Sequence, residues 1–279
     1  MLKSGIKATV VLMIIFISIF FILPVAAESG KNLMMATTTS TDNTGLLDDL
    51  APQFQSATGI ELKWTATGTG KALKLGENCD VDVLMVHAPV AEKNFVANGF
   101  GTDRREIMYN DFVIIGPQSD PAGIKSQSIE KALQTVRSKN ATFVSRGDNS
   151  GTHKKEISLW TAAGMPMPEK ESWYVQTGQG MLATINIAAE RNGYTMADRG
   201  SYIKYEDNLG GNPPLKILVE GDAVLLNQYS VIAIDVKHCP NTKKEQATQF
   251  IDWVTSPGAQ SQIKDFKLLG KPLFTPNAK

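Results

Sequence analysis

Cysteine, histidine and an excess of charge of either sign are scarce in this chain, and each scarcity excludes a class of protein. The 279 residues include two cysteines and three histidines, without the paired Cys/His spacing that zinc sites use. Lysine plus arginine and aspartate plus glutamate each number 28, so the formal net charge is zero. Nucleic-acid-binding proteins carry a basic excess. The sequence therefore predicts neither a zinc site nor a nucleic-acid partner.

A hydrolase signature is missing as well. The chain has no Gly-x-Ser-x-Gly nucleophile elbow. Ser150 and His153 are close in sequence, but they lie on one local turn, where helix capping is the more common role of a serine. We therefore predict that the protein is not an enzyme, and we keep a phosphate-handling hydrolase as the alternative from a different class.

The first residues indicate export. Lys3 and Lys7 precede an uncharged apolar run at 8–25, and small residues follow it up to Ala27. A basic start, an apolar run and small residues before a cleavage point are typical of a secretory signal peptide. We predict that residues 1–27 are such a peptide and that the protein works in the periplasm or another extracytoplasmic space. An uncleaved membrane anchor is the alternative, because the run is about as short as a spanning helix allows.

Removal of residues 1–27 takes away two lysines and no acid, which leaves the exported chain slightly acidic. Its overall charge then does not attract an anion, so any affinity for one must come from local groups. Cys79 and Cys239 remain, in a compartment that permits disulfides. Their separation in sequence does not decide between a disulfide and two thiols.

Apolar runs in the exported chain alternate with helical patterns. Runs typical of strands occupy 33–36, 60–65, 81–86 and 111–116, and a late one occupies 231–234. Helical patterns lie between them, and the sequence predicts that the last helix spans 244–255. Strands that alternate with helices predict an α/β fold with a parallel, doubly wound sheet. The length suffices for two lobes with separate cores.

Three loops rich in small polar residues each follow a predicted strand and precede a helix. They are residues 37–44, 68–70 and 145–152. In doubly wound sheets, ligands bind beyond the carboxyl ends of strands, where such loops lie. One polar turn alone is more often an ordinary helix cap. Three of them, with Arg146 in the last, predict a single pocket.

The third loop carries the strongest signal, because it joins a strand to a helix start. The free N–H groups of a helix's first turn, together with the helix dipole, favour an anion. Ser150 and Thr152 add hydroxyl donors, and Arg146 adds a guanidinium fork that suits a tetrahedral oxyanion. The loop therefore predicts an anion site.

Taken together, these motifs resemble those of the TupA family, the tungstate-binding periplasmic receptors of ABC importers. The matching runs are ATTTST at 36–41, GTGKAL at 68–73, DVDVLMVHAP at 80–89, MYNDFV at 108–113, SRGDNSGTHKKE at 145–156, WY at 173–174, GQGM at 178–181 and LFTPNA at 273–278. Two positions depart from the family pattern: Cys79 lies where the family favours glycine, and Gln228 lies where proline is common. Neither belongs to a motif assigned to the ligand.

The resemblance implies a type II periplasmic-binding-protein fold, in which two doubly wound α/β lobes joined by crossing strands close over one buried oxyanion. Residues 28–110 and 231–279 would form lobe I, and residues 111–230 would form lobe II. On this division, loops 37–40 and 68–70 belong to lobe I and loop 145–152 belongs to lobe II.

A buried dianion is stable only when donors replace its water shell. The predicted ligand contacts are donors of the three loops: Thr38, Thr39, Ser40, Thr69, Gly70, Arg146, Ser150, Gly151 and Thr152. The alternative is that the hydroxyl residues are helix caps, which explains Ser40 well and Arg146 poorly. Phosphate receptors carry a similar run in which the acid holds the arginine. That similarity implies that Asp148 orients Arg146 and does not touch the anion.

His87 suggests which anion is bound. Phosphate receptors resemble this chain at the third strand but carry aspartate where His87 stands. Phosphate near pH 7 keeps a proton that it can donate to such an acid, whereas tungstate, molybdate and sulfate mostly cannot. His87 therefore favours a fully deprotonated oxyanion. We place it behind the ligand contacts, and the alternative is a packed histidine outside the pocket.

The sequence thus predicts a tungstate receptor that delivers its anion to a membrane permease driven by an ATPase. We expect a monomer without a cofactor or a free metal cation, whose ligand is tungstate or its near-equal molybdate. The competing receptors would bind molybdate, sulfate or phosphate. A periplasmic sensor subunit, coupled to signalling instead of transport, is a further alternative.

Overall fold

The computed structural model describes residues 31–279, and the predicted signal peptide lies outside these residues. Its strands are β1 (Asn32–Thr38), β2 (Glu61–Thr67), β3 (Val83–Val86), β4 (Gly101–Pro117), β5 (Phe143–Ser145), β6 (Tyr174–Gln176), β7 (Thr195–Asp198), β8 (Leu215–Val219), β9 (Leu226–Ile234), β10 (Lys267–Leu268), β11 (Lys271–Pro272) and β12 (Thr275–Pro276). Its helices are α1 (Thr39–Asp42), α2 (Leu46–Thr58), α3 (Thr69–Glu77), α4 (Pro89–Ala97), α5 (Ile129–Ser138), α6 (Gly151–Ala162), α7 (Met181–Glu190), α8 (Arg199–Asn208), α9 (Lys244–Val254) and α10 (Pro257–Asp265). Within this range, no helix combines the length and the apolar content needed to cross a membrane.

The largest sheet is mixed. Strand β1 pairs in parallel with β2 on one side and with β3 on the other, as expected for strands joined by helices. Strand β9 pairs antiparallel with β3, and β4 pairs antiparallel with β9. The prediction of a parallel sheet is therefore right for β1, β2 and β3 and wrong for the whole sheet. The cause is that β9 and β4 run antiparallel to their neighbours, a pairing that periodicity along the sequence does not reveal.

Strand β4 connects two groups of strands. Its first part, up to Asp111, pairs with β9, and its last part pairs with β7 and β8. The sequence predicts only 111–116 of this strand, because the charged run 103–106 interrupts the apolar pattern before it. The predicted boundaries between the lobes fall inside β4 and β9, which makes these the strands that cross between the two predicted lobes.

Buried apolar side chains form separate clusters along β4. One cluster joins Ile107 and Met108 of its first part to residues such as Phe54 and Phe250. Another joins Phe112 and Ile114 of its last part to other side chains, including Phe143, Trp160 and Tyr194. Each cluster removes its own apolar surface from water, which is the main stabilising contribution to folding. The division into residues 28–110 with 231–279 and residues 111–230 stays a prediction.

The end of the chain corrects one prediction. Helix α9 lies where the sequence predicts the last helix, but α10 follows it after two residues. The side chain of Ser256 accepts a hydrogen bond from the N–H of Ala259, and Pro257 occupies the first turn. Serine at the N-cap and proline at the first position are strong signals for a helix start. The prediction that 244–255 is the last helix is therefore wrong.

Cys79 and Cys239 form a disulfide, which decides between the two alternatives that the sequence leaves open. The bond joins residues 160 positions apart and ties the end of α3 to the loop after β9. In a chain-entropy treatment, closing a loop of this length stabilises the fold by up to about 5 kcal/mol. Cys79 has a φ of 65°, in the left-handed region that a glycine adopts without strain.

Candidate functional site

The three polar loops meet at one cavity of about 340 Å³, which we call the polar cavity. Every residue that the sequence predicts as a ligand contact lines it, and so do Asp148 and His87. Four further residues line it that the sequence does not single out: Thr67, Gly68, Lys71 and Asn149. They adjoin predicted residues, and only their place in the chain could have indicated them. The structure thus brings the predicted residues together, while the contact of each with a ligand stays a prediction.

A second cavity of about 310 Å³ shares Thr39, Ser40 and Arg146 with the polar cavity. Its other walls combine polar side chains, among them Ser201 and Lys204, with the apolar side chains of Met181, Leu182 and Leu268. Loop 68–70 and the start of α6 do not line it. The polar cavity, to which all three polar loops contribute, is therefore the better candidate for an anion site.

The loop between β1 and α1 contributes a cluster of hydroxyl groups. The Oγ1 of Thr38 accepts a hydrogen bond from the N–H of Thr41 at 3.2 Å, which makes Thr38 the cap of α1. The same oxygen lies 2.7 Å from the Oγ1 of Thr41 and 3.1 Å from the Oγ of Ser40. Thr38 is thus the residue that caps α1. The alternative that Ser40 is only a helix cap is not what the structure shows.

His87 follows β3 and is buried in the wall of the polar cavity. Its ring stacks on Tyr229 with the ring centroids 4.8 Å apart. The Nδ1 atom lies 2.8 Å from the Oδ1 of Asn227, whose Nδ2 donates to the Oδ1 of Asn110 at 2.7 Å. Both asparagines are buried and directly paired between β9 and β4. His87 is thus a cavity residue and a packed residue at once, which combines the two alternatives that the sequence offers.

The hydrogen bonds of His87 fix the role of each ring nitrogen. We assign the proton to Nδ1, because the Asn227 oxygen that faces it can only accept. The Nε2 atom is then an acceptor, 3.1 Å from the Oγ1 of Thr38 and 3.2 Å from the Oγ of Ser40. Burial lowers the pKa of His87 from its ordinary value of 6.5, because water no longer stabilises the charged ring. His87 is therefore neutral at pH 7.

Helix α3 begins at the edge of the polar cavity without a side-chain cap. Its N-cap is Gly68, which has extended backbone and no side chain to offer. The N–H groups of a first helical turn have no partner inside the helix. The Oγ1 of Thr69 is buried and has no hydrogen-bond partner within residues 31–279. A buried hydroxyl that lacks a partner is destabilising, so this corner of the cavity is suited to an acceptor ligand.

The turn between β5 and α6 carries the ion pair of the cavity. The guanidinium of Arg146 donates to the Oδ2 of Asp148 at 2.5 Å. The Nε of Arg146 is buried and, within the described part of the chain, has no partner. The other oxygen of Asp148 accepts from the N–H of Ser150 at 3.1 Å. The predicted pairing of Arg146 with Asp148 is thus present in the structure, while its role in binding stays a prediction.

Asp148 is ionised at pH 7. Partial burial alone would raise the pKa of Asp148, but the hydrogen bonds from Ser150 and the charge of Arg146 outweigh that effect and lower the pKa below its ordinary value. Ser150 also caps α6, because its Oγ accepts from the N–H of His153 at 3.3 Å. Its own hydroxyl proton remains able to donate.

Gly151 lies where the loops approach each other most tightly. A Cβ atom added there would lie 3.3 Å from the Cε1 of His87 and 3.4 Å from the Oγ1 of Thr69. Most side chains would therefore force the start of α6 away from the ends of β3 and of loop 68–70. Glycine at this position allows the close approach.

Two lysines add positive charge at the edge of the polar cavity. Lys71 lines it. Lys154, on α6, extends its Nζ to 3.8 Å from the place that a Cβ of Gly70 would occupy. The surroundings of the cavity therefore carry more positive than negative charge, although the chain as a whole is formally neutral. This is the local attraction that an anion site in such a chain requires.

Comparisons with known proteins bear on the fold and the family of this chain. A family model described as a PBP superfamily domain matches residues 25–257. The tungstate-binding protein TupA of Campylobacter jejuni subsp. jejuni is 54% identical over 240 residues, which are 86% of this chain and 89% of that protein. The solved structure of the tungstate-binding protein TupA from Desulfovibrio alaskensis is 68% identical, with a TM-score of 0.85, over 89% of this chain and 100% of that one. A structure described as the tungstate ABC transporter from Geobacter sulfurreducens is 47% identical, with a TM-score of 0.75, over 84% of this chain and 98% of that one. These matches confirm the predicted fold class.

Proposed function

The chain belongs to the TupA family of tungstate-binding proteins, within the PBP superfamily, and on that premise we propose that it is an extracytoplasmic tungstate receptor of an ABC importer. It takes up the oxyanion in the polar cavity and delivers it to a membrane permease that an ATPase drives. It works in the periplasm as a monomer, without a cofactor and without catalysis.

The observation that carries the proposal is the set of donors around the polar cavity. The Oγ1 of Thr69 and the Nε of Arg146 are both buried and lack a hydrogen-bond partner within residues 31–279. Both belong to residues that line this cavity. A ligand rich in acceptor oxygens satisfies such groups, and a tetrahedral oxyanion offers four of them. Its negative charge matches the local excess of positive charge.

The donors come from three segments that different strands position. Thr38 ends β1, Thr39 and Ser40 begin α1, and Thr69 and Gly70 begin α3 after β2. The residues Arg146, Ser150, Gly151 and Thr152 follow β5. The anion therefore bridges loops that β4 and β9 hold together from two groups of strands. Binding favours the arrangement in which both sets of donors reach the same oxygens, and this closed form is the one that docks on the permease.

Asp148 and His87 act behind these contacts. Asp148 orients the guanidinium of Arg146, because a carboxylate that faced a dianion directly would repel it. His87 is neutral, and the lone pair of its Nε2 accepts from one of the two hydroxyl groups of Thr38 and Ser40, so the other hydroxyl can donate to the anion. With no ionised acid at this position, the polar cavity favours an oxyanion that carries no proton.

The arrangement of Ser150 and His153 supports a binding role over a hydrolytic one. The Oγ of Ser150 accepts from the backbone N–H of His153, and the Nδ1 of His153 accepts from the backbone N–H of Asn149. Both side chains stabilise the local turn. The histidine ring is thus not aligned to take a proton from the serine, as a catalytic base would be.

Isothermal titration calorimetry of the exported protein with tungstate, molybdate, sulfate and phosphate tests the proposal. We expect tungstate to bind more tightly than sulfate or phosphate, and Arg146→Ala to weaken tungstate binding roughly 100-fold or more, since hydrogen bonds to charged groups are the strong ones. Arg137→Ala, which removes an arginine that instead bonds the carbonyl of Pro166, is the matched control. Wild-type affinity in Arg146→Ala, or turnover of a phosphoester that Ser150→Ala abolishes, would overturn it.

A further inference from the structure

Glu156 is a buried carboxylate with no role in the site described so far. It lies on α6 with 3% of its surface exposed, and within residues 31–279 it forms no salt bridge. Three neutral donors surround it. Its Oε1 accepts from the hydroxyl of Tyr174 at 2.6 Å and from the Nε1 of Trp160 at 3.1 Å, and its Oε2 accepts from the hydroxyl of Ser145 at 2.6 Å.

An ionised side chain in such a place is costly. Burial raises the pKa of Glu156, and the hydrogen bonds from Ser145, Tyr174 and Trp160 act in the opposite direction. Replacement of a whole buried polar network by apolar groups of similar volume often leaves the free energy of unfolding unchanged or increases it. A role beyond stability is therefore worth seeking, and the bond to Ser145 indicates one.

Ser145 connects Glu156 to the turn that carries Arg146. The Oγ of Ser145 donates its only proton to Glu156, so the lone pairs of this oxygen are free to accept. They accept the N–H of Gly147 at 3.2 Å. Ser145 and Gly147 are the two neighbours of Arg146 in the chain. The carboxylate thus fixes the direction of the hydrogen bonds that close the turn around Arg146.

The rest of the turn is held from the other side. The N–H of Gly178 donates to the carbonyl of Arg146 at 2.8 Å, and the N–H of Thr177 donates to that of Ser145 at 3.0 Å. Gly147 has a φ of 60°, and a Cβ there would lie 2.7 Å from the Cβ of Gln176. The Oγ1 of Thr177 also lies 3.3 Å from each of the carbonyl oxygens of Ser145 and Arg146. The bond from the N–H of Gly147 is the one that depends on the side chain of Ser145, and that side chain depends on Glu156.

We propose that Glu156 is a positioning residue for the oxyanion: through Ser145 and the N–H of Gly147 it sets the backbone of Arg146, while Asp148 sets the guanidinium. The inference rests on the proposed function, because the position of Arg146 matters only where its guanidinium meets a ligand. Glu156 acts through the turn and does not touch the anion.

The variant Glu156→Gln isolates this effect. The indole of Trp160 can only donate, so the carbonyl of the glutamine must face Trp160 and Tyr174 and its amide must face Ser145. The bonds to the two aromatic residues persist, whereas the bond to Ser145 reverses. The Oγ of Ser145 then accepts the amide with one of its two lone pairs and no longer donates to a carboxylate, so the oxygen that accepts the N–H of Gly147 is less polarised and the bond is weaker. Tyr174→Phe is the matched control, because it removes another donor from the same carboxylate and leaves Ser145 in place.

Two measurements test the proposal on the full exported protein. In calorimetry with tungstate, we expect Glu156→Gln to raise the Kd about tenfold and Tyr174→Phe to change it less than about twofold. In ligand-free protein, amide hydrogen exchange at Gly147 should be faster in Glu156→Gln and unchanged in Tyr174→Phe. Ser145→Ala should reproduce both effects, and the double variant should add nothing to either, which keeps the test valid if Glu156→Gln does not fold.

The outcomes separate the two proposals. A Kd within about twofold of wild type in Glu156→Gln and in Ser145→Ala, or equal effects of Glu156→Gln and Tyr174→Phe, would overturn the role of Glu156. So would unchanged exchange at Gly147. If wild-type protein binds another of the four anions in place of tungstate, the choice of ligand is wrong. In that case the role of Glu156 is still tested. The Kd of that anion is compared between wild type, Glu156→Gln and Tyr174→Phe, and amide exchange at Gly147 is measured as before.

Discussion

One wall of the polar cavity is built mainly from neutral donors, with Lys71 as its charged side chain, and the other wall holds an ion pair. The first wall, from the loops after β1, β2 and β3, offers hydroxyls, the uncapped start of α3 and a histidine that burial keeps neutral. The second wall, from the turn after β5, holds the ion pair of Arg146 and Asp148. On the proposed function, attraction and coordination are divided: the second wall supplies the guanidinium of Arg146, and the first wall completes the shell of donors.

A buried carboxylate lies behind each wall of the cavity, and the partners of the two carboxylates differ. Behind the first wall, Glu92 accepts the N–H of Ala88, next to His87, and pairs with Arg104 at 2.9 Å. Behind the second wall, Glu156 reaches the neighbour of Arg146 and has only neutral donors. Burial raises the pKa of both carboxyls. Of these two buried carboxylates, Glu92 behind the first wall is paired with an arginine, and Glu156 behind the second wall is not.

The largest effect among the variants that sharpen this comparison should come from Asp148→Asn in the second wall. The change frees the guanidinium of Arg146 from its partner at 2.5 Å, and we expect the Kd for tungstate to rise roughly 10- to 100-fold. Calorimetry measures it, with Asp207→Asn on the exposed end of α8 as the control. Tighter binding in Asp148→Asn would show that repulsion of the anion by this acid outweighs its hold on the arginine.

A smaller effect is expected in the first wall from Thr69→Val, which keeps the shape and removes the buried hydroxyl. We expect the Kd for tungstate to rise about tenfold, because one donor to the anion is lost. The free energy of unfolding of the ligand-free protein should not fall, since this hydroxyl has no partner within the described residues. Thr161→Val, whose hydroxyl bonds its own helix, is the control. A loss of stability without a change in Kd would contradict the assignment.

The third prediction concerns pH and the neutrality of His87. Its folded pKa lies below the ordinary 6.5, so the unfolded chain binds the proton first. The stability that this difference contributes is present above pH 6.5 and is lost as the pH falls through the folded value. His87→Gln should therefore lose less stability than wild type between pH 7.5 and 5, as Tm measurements without anion can check. The raised pKa values of Glu92 and Glu156 act in both proteins and cancel in the difference. Parallel curves would contradict the prediction.

The smallest effect should come from Lys154→Gln at the edge of the cavity. This lysine reaches Gly70, while the salt bridge of Asp148 is to Arg146. We expect the association rate of tungstate to fall about two- to threefold at low salt and to match wild type near 0.5 M salt, where charges are screened. Stopped-flow measurements decide, with Lys131→Gln on α5 as the control. A change that persists at high salt would assign Lys154 a direct contact.

The residues of the site could be found from the sequence because their signal is local. Each polar loop follows a strand and precedes a helix, and loops of that kind collect at one edge of an α/β sheet. The motif around Arg146 gave both the cation and the acid beside it. The role of each of these residues, as a helix cap or as a donor to the ligand, could not be predicted in the same way. Ser40 looked like a cap, and the structure gives the cap of α1 to Thr38.

Other features depend on residues far apart in the chain. The first part of β4 is too charged to appear as a strand, and its pairing with β9 makes it one. The disulfide joins residues that 160 positions separate. Glu156 appeared only as part of a family motif, because nothing in the run KKE indicates that its third residue turns inward to Ser145 and Tyr174.

The sequence by itself determined the α/β class, the three polar loops and the preference for an anion. These follow from periodicity and from the chemistry of helix starts, which act over a few residues. Only the tertiary structure decided that His87 is neutral and lies between Asn227 and the hydroxyls of the first wall, and that a buried carboxylate stands behind Arg146. The physical reason is that burial and hydrogen-bond direction depend on which distant side chains meet, and folding alone brings them together.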